Sequence, residues 1–144
     1  MTSDDTRGKV TETTRKVVLA FYEGLMARDI EPMAMLFAEE VDWYIPGHRE
    51  LAPWTGRRRG RADVVPFWRL LLSNIESVRF DLHGIFADGE LAVATGEFAS
   101  RMLKVDKIYE SPFSAHFTVR NGQIVRYRFL EDSYGLVRVL SGHA

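Results

Sequence analysis

The chain is 144 residues long, with 46% hydrophobic, 27% charged and 12% aromatic residues, the make-up of one globular domain with its own core. It has no cysteine, which excludes disulfides, thiolate nucleophiles, iron–sulfur clusters and cysteine-ligated zinc. A formal charge of -1, and the lack of any apolar run near the roughly 20 residues of a membrane span, argue against nucleic-acid and membrane partners.

Met1-Thr-Ser-Asp-Asp-Thr-Arg7 is polar and does not read as a secretory signal, so a cytoplasmic protein is expected. Residues 1–10 read as a flexible tail and 11–141 as a single domain. From Thr11 the pattern turns helical: Val18, Phe21, Tyr22, Leu25 and Met26 fall on one stripe. Asp29 is placed to cap a second, short helix, with Glu31 and Pro32 in its first turn and Met33, Leu36 and Phe37 on its apolar face. Val41–Ile45 is a predicted strand, stopped by Pro46-Gly47.

Residues 46–61 read as a long loop holding Trp54 and the Arg57-Arg-Arg-Gly-Arg61 run, a basic island read as a solvated loop. A third helix follows, facing inward with Val64, Phe67, Trp68, Leu71 and Leu72. After Ser77 everything alternates as antiparallel strands, with two-residue turns predicted at Asp88-Gly89 and Asn121-Gly122. A short helix is expected over 133–141. The order gives an α+β fold: about five mostly antiparallel strands curved into a cone around helices, with a pocket between them.

Four segments carry a resemblance. They are Leu36-Phe-Ala-Glu-Glu-Val-Asp-Trp-Tyr-Ile-Pro-Gly47, Trp54-Thr-Gly-Arg-Arg-Arg-Gly60, Phe86-Ala-Asp-Gly89 and Val119-Arg-Asn-Gly-Gln-Ile-Val-Arg-Tyr-Arg-Phe-Leu-Glu-Asp132. Together they resemble the SnoaL-like branch of the nuclear transport factor 2-like superfamily over about residues 12–140. The resemblance implies a cone-shaped cystatin-like fold related to ketosteroid isomerases and polyketide cyclases. It also implies a small apolar, polyketide- or steroid-like ligand. Two acids of that superfamily are missing here: Ile45 stands where ketosteroid isomerases place a catalytic Asp, and Tyr127-Arg128-Phe129 stands where aromatic-ring cyclases have one. Asp132 alone matches a recurrent strand-end aspartate.

Strand parity sorts the other candidates. Trp43 shares a face with Val41 and Ile45, as a pocket wall or as plain core. His48 beyond Pro46-Gly47 is a proton shuttle or a solvated loop residue. His116 lies opposite the apolar set Phe113, Ala115, Phe117 and Val119. Arg101 either orients a substrate or forms a surface ion pair. Asp132 is a base or the cap of the last helix.

Two classes of function stay open: a metal- and cofactor-independent isomerase, cyclase or dehydratase, or a non-catalytic binding domain. For the enzyme, Asp132, His48 and His116 are the candidate proton carriers. Trp43, Trp54, Tyr22, Phe67, Leu71 and Arg101 are the candidate substrate contacts, with Trp54 a movable cover. The histidines His48, His83, His116 and His143 have no metal-ligand spacing. Apolar residues on both faces of the late strands predict a homodimer through the outer face of the sheet.

Overall fold

The computed structural model describes residues 3–142, so His143 lies outside it. The order is α1 (Ser3–Ala27), α2 (Ile30–Ala34), β1 (Phe37–Ile45), β2 (Gly56–Gly60), a 3-10 turn (Arg61–Asp63), α3 (Val64–Asn74), β3 (Ile75–Asp88), β4 (Leu91–Met102), β5 (Lys107–Arg120), β6 (Gln123–Glu131) and α4 (Ser133–Leu140). The six strands form one curved, unclosed sheet in the order β2-β1-β6-β5-β4-β3. All neighbours are antiparallel except β1 and β6. This is the expected α+β cone, with one strand more than expected. No helix among the described residues is long and apolar enough to cross a membrane.

Three boundaries differ from the sequence reading, each for a physical reason. Residues 3–10 are helical, not a tail, because the first half of α1 is tied to the β3–β4 turn. Arg7 pairs with Asp88 at 2.8 Å, the Gly89 N–H donates to Thr11 Oγ1, and Thr14 donates to the Gly89 carbonyl at 2.7 Å. None of these anchors is apolar, so the hydrophobic stripe did not report them. Phe37 belongs to β1, since Ile124 N donates to the Leu36 carbonyl and the parallel pairing with β6 begins there. Asp29 precedes α2 but makes no side-chain cap.

A further difference is the arginine run, which is an edge strand rather than a loop. Tyr44 faces Arg57 and Trp43 faces Arg58 across the β1–β2 pair. The Arg57 guanidinium stacks 4.4 Å over the Tyr44 ring and lies 3.9 Å from Asp42. Arg61 Nε donates to the Phe37 carbonyl at 2.8 Å. A strand without apolar alternation is invisible to periodicity, and charged edge strands are a common way to block stray pairing.

The turns match more closely. Asn121 and Gly122 both have positive φ, +53° and +75°, as a type I′ hairpin requires. The other two-residue turn is Gly89-Glu90, one residue beyond the predicted pair, with Gly89 at φ +62°. Parity also holds: Val41, Trp43 and Ile45 are buried, as are Phe113, Ala115, Phe117 and Val119, and the core lies between the inner sheet face and the helices. Curvature needs a close approach at Gly96, opposite Leu82 and Phe113, where β3 carries a bulge after Leu82. A Cβ there would press on the Asp81 carbonyl and lie 2.6 Å from the Phe113 ring.

Candidate functional site

The cone encloses a cavity of about 230 Å³. Its wall is mostly apolar, built by Phe21, Leu25, Phe67, Trp68, Leu71, Phe80, Phe98, Phe113 and Phe129 among others. The polar groups on it are few: Tyr22, Ser77, Ser100, Tyr109, Tyr127, Glu131 and, at the rim, Arg28. Exposed members of the wall gather at the end of α1 (Met26, Arg28), the end of α3 (Leu72) and the start of β3 (Ser77), which marks the mouth.

Glu131 is the acid of this cavity. It ends β6 on the same face as Tyr127 and Phe129, opposite Phe113 on β5. Burial pushes its carboxyl from 4.5 up to about 7, and the neighbouring Asp132 adds to the rise. The Tyr109 hydrogen bond works against the rise without cancelling it. The Tyr109 hydroxyl lies 2.8 Å from the Asp132 carbonyl oxygen and 3.0 Å from Glu131 Oε1. It has one proton for two acceptors. When Tyr109 donates to Asp132, the contact with Glu131 is satisfied by a proton on the carboxyl. When Glu131 is ionised, Tyr109 turns its proton to the carboxylate, and the Asp132 carbonyl keeps the Leu136 N–H at 3.1 Å. Either protonation state of Glu131 is therefore accommodated without orphaning a backbone group.

Tyr22 and Tyr127 supply the donors. Burial raises both hydroxyls above the ordinary phenol value, and the neighbouring Tyr22 and Glu131 raise Tyr127 further. Both stay protonated at ordinary pH. Neither hydroxyl has a hydrogen-bond partner among the described residues, so each is available to a ligand oxygen. Their rings are fixed from behind by Phe117, 6.0 Å from Tyr22 and 5.3 Å from Tyr127 between centroids.

The sequence-predicted residues are divided by the fold. Tyr22, Trp54, Phe67 and Leu71 lie on the cavity wall. Trp43 sits behind it, fully buried against Phe37, Phe67 and Tyr127. Trp54 is only 6% exposed and is not a movable cover. The 46–55 segment is pinned, because Arg58 points inward over the Phe67 ring and donates to the Trp54 carbonyl at 2.9 Å, while Thr55 donates to that of Ala52.

The three predicted proton carriers lie away from the cavity. His48 is exposed and accepts from the Leu51 N–H at 3.3 Å. His116 is on the outer sheet face, 2.7 Å from the Ser114 hydroxyl. Asp132 caps α4, accepting from Gly135 N at 2.9 Å. Arg101 is also outside, paired with Asp106 at 2.9 Å. Arg128, on the face opposite Tyr127, makes a two-pronged pair with Asp42 at 3.0 and 3.1 Å. That contact holds the Asp42 carboxyl below its usual range. Among the described residues no group of three or more His, Asp or Glu is arranged to hold a metal.

Sequence reasoning points to Asp132 and not to Glu131, although strand alternation puts Glu131 on the same face as Tyr127 and Phe129. An acid closing an apolar strand face was the available signal. Ile45 and Phe129, the two positions at which the resemblance implies an acid, are both on the wall and both apolar, and the carboxyl enters two residues beyond Phe129.

Comparison with known proteins places this geometry in a family. No curated protein matches the chain. Among solved structures, a nuclear transport factor 2-like protein from Burkholderia xenovorans LB400 is 22% identical with a TM-score of 0.81, covering 90% of this chain and 97% of its own. TerC, co-crystallised with polyporic acid, is 20% identical with a TM-score of 0.78 over 90% and 98%. A provisionally assigned isomerase from Rhodopseudomonas palustris is 20% identical with a TM-score of 0.73 over 87% and 93%. At these identities the likeness concerns the fold. The SnoaL-like domain family matches residues 18–127, most of the chain, and the protein belongs to that family.

Proposed function

We propose that this protein is an acid–base enzyme of the isomerase or cyclase type, acting on a small, largely apolar carbonyl compound of polyketide- or steroid-like character. The observation that carries the reading is Glu131, a carboxyl held at about 7 in a mostly apolar cavity that also presents unpartnered phenols. As carboxylate it takes a proton from the carbon next to the substrate carbonyl. The C–H electron pair moves into the new C=C bond, and the carbonyl π pair moves to oxygen. Tyr22 and Tyr127 donate hydrogen bonds to that enolate oxygen. The proton on Glu131 then goes back to carbon at a conjugated position, or to the alkoxide formed when the enolate closes a ring onto a second carbonyl. As proposed, these steps draw on no metal or organic cofactor. The neighbours with an isomerase assignment and with a polyporic acid ligand accord with it.

The test is hydrogen–deuterium exchange at the α-carbon of 2-tetralone, an apolar bicyclic ketone, followed by NMR. The protein should accelerate exchange, and the rate should climb as pH passes through about 7 and Glu131 loses its proton. Exchange no faster than in buffer would leave a binding domain without this chemistry.

The same reading includes a homodimer through the outer sheet face. Among the described residues no helix covers that face, and it presents Phe86 at 63% and Leu91 at 61% exposure and, on a separate strand, Leu130. Light scattering at micromolar concentration should give about twice the chain mass of 16.5 kDa, and a mass of one chain would refute the dimer.

A further inference from the structure

Resting on the cavity as a small-molecule site, we propose that its ligand carries an anionic group, a carboxylate or comparable oxyanion, which Arg28 receives at the mouth. Arg28 is the cavity-lining residue with a permanent positive charge. It also borders an adjoining groove of about 290 Å³, which shares Ile30, Trp68 and Leu72 with the cavity wall. Its guanidinium has no ion pair or hydrogen bond among the described residues. Asp29, its chain neighbour, does not pair with it, and Glu31 in the groove is taken by Arg69 at 3.8 Å.

The backbone singles out this position. The Asp29 N–H reaches the Gly24 carbonyl at 2.9 Å and the Arg28 N–H the Leu25 carbonyl at 3.2 Å. These two bonds close α1 in the Schellman pattern, whose left-handed residue is ordinarily glycine. Here it is Arg28, at φ +57°. The turn thus places a long cationic side chain where the fold itself asks for none. Trp68, 7% exposed, separates the two spaces, and its indole N–H has no acceptor in the protein. An oxyanion at the rim would give Arg28 its partner and bring an acceptor to the side of the cavity that Trp68 lines. The ligand then enters apolar end first, its carbonyl among the phenols and its anion at the mouth.

The experiment compares two fluorescent probes with the same aromatic skeleton: 1-anilinonaphthalene-8-sulfonate, which is anionic, and N-phenyl-1-naphthylamine, which is neutral. Only the signal abolished by Ser100→Leu, which fills the cavity, is counted. Arg28→Asn should keep the turn, since asparagine tolerates the left-handed region. It should weaken the sulfonate about fivefold or more and leave the neutral probe within about twofold, while Arg28→Lys keeps most of the sulfonate affinity. Equal losses for both probes, or no loss of the sulfonate, would overturn the inference while leaving the cavity reading intact. Failure of both probes to bind the unaltered protein in the cavity would overturn the two together.

Discussion

Glu131→Gln should slow α-proton exchange by about a hundredfold to ten-thousandfold while making the protein more stable above pH 7. The amide keeps the shape of the carboxyl and donates from its NH2 to the Tyr109 oxygen, as the neutral acid does. What it removes is the ionisation. Folding raises the carboxyl from 4.5 to about 7, so between those values the folded protein holds a proton that the unfolded chain has lost. Stability of the unaltered protein therefore declines as pH rises across that window and levels off above it. The shift corresponds to about 3 kcal/mol between the two plateaus. Urea unfolding at pH 4.5, 6 and 8 reads this directly: the difference between the two proteins should be small at the lowest pH and near its full size at the highest. Identical pH slopes would show that Glu131 does not titrate in this window. A group whose removal helps folding and harms turnover is held for its chemistry.

The fold was legible because its signals are periodic. Val18, Phe21, Tyr22 and Leu25 mark one face of α1, and alternation from Val78 onward marks the meander. What escaped lacked apolar contrast. Residues 3–10 hold their place through Arg7, with Thr11 and Thr14 continuing the attachment, and Arg57–Arg59 pair as a strand through backbone groups and guanidinium stacking. The site was half legible. Strand alternation separates Tyr127, Phe129 and Glu131 from Arg126, Arg128 and Asp132, but the family resemblance draws attention to Asp132, which caps α4 instead. Trp54 misled for a related reason. A tryptophan between proline and glycine reads as a mobile plate, whereas three carbonyls gathered around Arg58 fix it in place.

Phe117→Ala should cost about 4 kcal/mol of stability, the loss typical of a fully buried aromatic in a rigid setting. Phe117 is 2% exposed and lies directly opposite Tyr127 across the β5–β6 pair. Its ring also meets Phe21 at 5.3 Å and Tyr22 at 6.0 Å, so one side chain braces α1 and the sheet behind both phenols. These neighbours belong to different elements and cannot all collapse into the space left by a phenyl ring, which is why the penalty should fall in the upper range. Phe117→Leu should cost less, because more of the volume remains, and it separates packing from chemistry. In that variant Glu131 is untouched, so the midpoint of the pH–rate profile should stay at about 7 while the rate plateau falls as Tyr22 and Tyr127 lose their fixed positions. Urea midpoints for both variants, with the exchange profile of Phe117→Leu, decide it. A loss below about 1 kcal/mol for Phe117→Ala would mean the phenols are braced elsewhere. A plateau unchanged in Phe117→Leu would mean that their alignment does not limit the reaction.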